Sequence, residues 1–81
     1  MKVYKICYIE DSDAVEVFDL IDIVRERNLP LFVRKMVDEG QICEETVKDF
    51  MKKHKRLPQT RAEAVELLKD DGYDVEQTIV W

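Results

Sequence analysis

Two cysteines, one histidine and two clusters of like charge are the residues of this chain whose types could do chemistry. Cys7, Cys43 and His54 offer a zinc ion three ligands at most, at spacings that match no tetrahedral site, so no metal centre and no cofactor is expected. With no CxxC and no further cysteine, both thiols are expected to stay reduced and to pack as small apolar groups. His54 falls on the apolar side of its segment, the place of a histidine at the edge of a core. No nucleophile, base and orienting group can be nominated as a set, and two glycines in 81 residues leave no glycine-rich loop to cradle a phosphate. An enzyme is not expected.

What remains is charge. Asp13, Glu16, Asp19, Asp22 and Glu26 recur at three- and four-residue steps and are extended by Glu10 and Asp11. Such an acidic row could oppose a basic surface on another protein; the plainer alternative is a solvated helix face. Lys48, Lys52, Lys53, Lys55, Arg56 and Arg61 form a denser basic cluster, which could hold phosphates if the turn between two helices gathers it. The net charge of −5 works against generic binding to nucleic acid or anionic lipid. Both ends of the chain are acidic and its middle is basic.

These residues need elements to hold them. Lys2 to Glu10 is rich in β-branched and aromatic residues and reads as a strand. Its backbone groups need a partner, and Tyr73 to Trp81 is the segment of comparable β character, so the two ends are expected to pair. If they do not, the open edge of the N-terminal strand could pair with its copy in a homodimer. Ser12 to Arg27 is expected to be a two-faced helix, capped by Ser12, with Ala14, Val17, Phe18, Leu20, Ile21 and Val24 opposite the acidic row. A short helix follows from Leu29 to Val37, ended by Gly40, with a strand over Leu31 to Val37 as its rival. Cys43 to Lys55 reads as a third helix, its acids leading and its bases trailing. Thr60 caps a fourth helix, with Glu63 completing a capping box, and Asp70, Asp71 and Gly72 end it.

Within the second half, Leu57 to Leu68, LPQTRAEAVELL, resembles the start of the second helix of a LexA-type helix-turn-helix, which implies DNA contact. Glu44 to Trp81 resembles the three-helix ubiquitin-associated-like module, with Asp74 and Val75 opening the last helix. That likeness competes with the strand favoured for the same residues.

The reading is a single α+β domain over residues 1–81, four helices on a two-stranded sheet made from the N- and C-terminal strands. Its expected function is non-enzymatic: a small acidic inhibitor or adaptor, of the kind phages and mobile elements encode, that binds another macromolecule. The partner is expected to be a protein, such as one that handles nucleic acid. The rival is a small DNA-binding regulator that uses the basic cluster. With no apolar run long enough to span a bilayer and no cleavable leader, the chain is expected in the cytoplasm and away from membranes.

Overall fold

In the computed structural model the chain is an α+β fold of three helices on one three-stranded antiparallel sheet, and the structure describes residues 2–12 and 15–79, with residues 10–12 and 15–19 described as backbone. The elements are β1 (Lys2–Ser12), β2 (Val15–Arg25), a 3-10 turn (Glu26–Asn28), α1 (Leu29–Asp38), α2 (Glu44–His54), α3 (Arg61–Asp70) and β3 (Tyr73–Ile79). The strand order is β2-β1-β3.

The two ends pair as the sequence led us to expect, Lys2 opposite Ile79 and Tyr8 opposite Tyr73. Two expectations are overturned. There are three α-helices rather than four, and the sheet has three strands rather than two, because most of Ser12 to Arg27 is strand and not helix. Five of the eleven residues of β2 are Val or Ile, which fit a pleated surface better than a helix. The segment also follows directly on β1, so the pairing closes at little entropic cost. The helical spacing has a cause in the ladder itself. Cys7 pairs with Leu20 and Ile6 with Asp22, so Ile21 is an extra residue, a bulge that shifts the two-residue alternation by one. Residues three apart then fall in phase, as they would on a helix.

The remaining segments form as read. Pro30 stands in the first turn of α1, and Gly40 ends it at φ 74°, with the Gln41 amide donating back to the Met36 carbonyl. At α3 the Thr60 hydroxyl accepts from the Glu63 amide while the Glu63 carboxylate accepts from the Thr60 amide, the capping box in full.

The core lies between the helices and one face of the sheet. Tyr4 and Ile6 of β1 and Val24 of β2 meet Leu29, Val33 and Met36 of α1, Phe50 of α2, and Ala64, Leu67 and Leu68 of α3. Six of these, Ile6, Leu29, Val33, Ala64, Leu67 and Leu68, are completely buried, and each such Val, Leu or Ile side chain contributes roughly 1.5 to 3 kcal/mol. Val3 and Cys7 alternate with Tyr4 and Ile6 and are buried outside this cluster. Cys7 thus packs as expected, but Cys43 is exposed, since it precedes α2 instead of joining its buried side.

Both edges of β1 are taken within the chain over Val3–Tyr8. A homodimer through that strand lacks the open edge over these residues that motivated it.

Candidate functional site

The β1–β2 ladder runs from Val3 opposite Arg25 to Ser12 opposite Val15, whereas β3 covers β1 from Lys2 to Tyr8. Beyond Tyr8 the sheet therefore continues as a two-stranded ribbon. Six acids and no lysine or arginine lie between Ile6 and Val24, and this run includes the whole ribbon.

The acidic row is not one face of a helix, and its members separate. Asp22 and Asp19 are opposite Ile6 and Tyr8, two positions of the same phase on β1, because the bulge at Ile21 falls between them. Glu16 is opposite Asp11, in the other phase. Glu26 belongs to the 3-10 turn, where its carboxylate meets Arg61 Nε at 3.3 Å, and Asp13 lies outside the described residues. Of the described side chains in the row, Asp22 is exposed, and its Oδ1 accepts from the Ile23 amide at 2.7 Å.

The basic cluster is largely neutralised. Lys48 pairs with Glu44 at 3.5 Å, Lys53 with Glu66 at 3.1 Å, and Arg56 grips both Glu63 oxygens with Nη2. Arg61, besides meeting Glu26, donates from Nη1 to the Tyr4 hydroxyl. Lys52 and Lys55 form no ion pair among the described residues. Three of the six, Lys53, Arg56 and Arg61, thus serve as bonds between elements, and Lys48 pairs within α2.

His54 is part of the same knot. Its Nε2 is 2.5 Å from Glu66 Oε2 and its Nδ1 is 3.5 Å from Glu63 Oε2, and its ring lies over Phe50 at 4.2 Å between centroids. The His54 bond, then Lys53, hold the Glu66 carboxyl below the ordinary range, and the Arg56 side chain is the leading cause that lowers Glu63. What this arrangement can do is fasten α2 to α3. Among the described residues no serine, threonine or cysteine side chain is bonded to the imidazole. Among the described residues no group of three or more metal-ligating side chains converges, and no helix is long and apolar enough to cross a membrane.

No family model, curated protein or solved structure matches this chain. Tyr73–Ile79 is a strand in this fold, at the place where the ubiquitin-associated-like likeness implies helix. Sequence reading did not find the two troughs between β2 and α1, one lined by Ile21, Asp22, Phe32 and Met36 and the other by Asp22, Ile23, Leu31 and Phe32. A strand that keeps exposed isoleucines beside an amphipathic helix is the signal for such a trough, but it appears only once the segment is known to be a strand.

Proposed function

We propose that this chain is a non-enzymatic acidic binding protein, an inhibitor or adaptor that acts by occupying another protein through its β1–β2 ribbon. The observation that carries this reading is the run of six acids without a single base between Ile6 and Val24, five of them on the β1–β2 ladder: Glu10, Asp11 and Glu16 past the end of β3, and Asp19 and Asp22 beside the part of β1 that β3 covers. A uniformly negative projection attracts a basic surface from a distance and speeds the encounter, most of all at low salt. The ion pairs that occupy Lys48, Lys53, Arg56 and Arg61 weigh against the DNA-binding alternative, because a base already bonded to a carboxylate must break that bond to meet a phosphate.

The test is retention from a lysate of the native host, with and without nuclease, by the chain and by its Asp19→Lys, Asp22→Lys double variant. The expected result is a protein that survives nuclease, is released by salt and is not retained by the variant. Equal retention by the variant sinks the acidic-ribbon reading. Retention of DNA alone, lost after nuclease, restores the basic cluster as the site.

A further inference from the structure

We infer that the cavity at the end of the sheet remote from the acidic ribbon binds a small phosphate-bearing anion, held by Lys2, Arg25 and Arg27. The cavity is about 300 Å³, and the described residues that line it are Lys2 from the start of β1, Arg25 from the end of β2, and Glu26 and Arg27 from the 3-10 turn. β1 and β2 are antiparallel, so the start of one and the end of the other meet here, with Val3 opposite Arg25. Glu10, Asp11 and Glu16 lie at the far end of the same ladder. The site is thus separate from the proposed partner surface.

The charges around this cavity do not cancel within the fold. Lys35, Lys48, Lys53 and Arg56 each meet a carboxylate, but Lys2, Arg25 and Arg27 are exposed and form no ion pair among the described residues. The acid of the lining, Glu26, is engaged by Arg61, whose Nε is 3.3 Å from Glu26 Oε1. Arg61 Nη1 also donates to the Tyr4 hydroxyl, which holds that guanidinium in place on Glu26. In a chain where 18 acids outnumber 13 lysines and arginines, three bases are therefore left together beside an acid that is already taken. Like charges gathered in this way repel, and an anion that bridges them turns the repulsion into attraction.

Side-chain type and cavity size decide which anion. Two guanidinium forks and an ammonium group suit an anion with several oxygens and more than one charge. A carboxylate has two oxygens and one charge, enough for one fork, whereas a phosphate or diphosphate group can accept from all three side chains. The volume is at the small end for ligand sites, which fits such a group and little beyond it. At about 3.3 Å per residue, Asp19 lies roughly 20 Å from Arg25 along β2, beyond the Debye length of about 8 Å at physiological salt. Asp22 is nearer, but it is opposite Ile6, in the other phase from Arg25 opposite Val3. A small anion in the cavity is therefore screened from the ribbon. A nucleic-acid strand extends well past that distance, and the net charge of −5 opposes it.

The experiment titrates the full chain, in phosphate-free buffer, with pyrophosphate, acetate and a single-stranded oligothymidylate. Calorimetry reads affinity, and backbone amide NMR shifts read location. The expected result is that pyrophosphate saturates one site, with its largest shifts at Val3, Arg25 and the turn Glu26–Asn28, and that acetate binds about tenfold more weakly or worse. The Arg25→Gln, Arg27→Gln double variant, at exposed positions, should weaken pyrophosphate by about tenfold or more. Lys2→Gln should weaken it too, and reads the same site if the double variant does not fold. Lys52→Gln, Lys55→Gln removes two bases elsewhere that form no ion pair among the described residues, and should leave the affinity unchanged. Pyrophosphate binding that does not saturate, an equal loss in the Lys52, Lys55 variant, or acetate as tight as pyrophosphate overturns the inference. Oligothymidylate that binds the same residues more tightly than pyrophosphate would assign the site to nucleic acid and overturns it as well.

Discussion

Lys55 closes α2 in the left-handed region at φ 64°, the one described residue other than glycine with positive φ. A side chain there crowds the following carbonyl, at a cost of about 1 to 2 kcal/mol that glycine avoids. Glycine also loses more freedom on folding, which offsets part of the gain. Lys55→Gly should therefore stabilise the chain by about 0.5 to 1 kcal/mol, read as a higher urea midpoint at unchanged slope. At this scale the sequence was legible where a residue's role is local. Thr60 and Glu63 declared their capping box by type and spacing alone, and Gly40 declared a helix end. Cys43 was not legible, because whether a thiol before a helix is buried depends on what packs there, and the Cys43 amide instead meets Asp71 Oδ1 at 3.2 Å.

Between elements, α2 is tied to α3 by His54, Lys53 and Arg56 reaching Glu66 and Glu63. Both carboxyls are held below their ordinary value of 4.5. A carboxyl lowered in the folded state binds protons less readily there than in the unfolded chain. Its contribution is fully present above the ordinary value and fades as the pH falls through the folded one. The urea midpoint should accordingly drop as the pH falls below the ordinary carboxyl value, and the drop should be smaller in the Glu63→Gln, Glu66→Gln variant. An identical drop in both proteins would show that the knot is not what acid releases. The three helices after Asn28 were legible from local signals: Gly40 after α1, acids leading and bases trailing in α2, and the capping box of α3. β2 was not, because its bulge at Ile21 gives a strand the three-residue spacing of a helix, and its acids, set against apolar neighbours, completed the resemblance. With β2 misread, the acidic residues were found by type but placed on a face that does not exist.

For the whole molecule, pairing of the two ends was legible from the need of β1 for a partner, whereas the third strand was not, since only tertiary pairing separates a bulged strand from a helix here. The order β2-β1-β3 places the strand made first between its near neighbour in sequence and its most distant one. Lys2 opposite Ile79 is a contact that spans nearly the whole chain, and bringing such distant segments together is what slows folding. The same contact makes the chain almost a ring. A short linker that joins the ends would turn β3 and β1 into neighbours in sequence, and a cut between Arg27 and Asn28 would leave α1, α2, α3, β3, β1 and β2 in that order. The sheet would then be a simple up-and-down meander built from local pairings. This permuted chain should fold about tenfold faster or more in stopped-flow refolding, with a smaller change in unfolding. An unchanged refolding rate would mean that closure of the ends is not the slow step. β1 and β3, remote in sequence and adjacent in the sheet, thus make connectivity a choice separable from architecture, so that the acidic ribbon can be carried after the helices instead of before them.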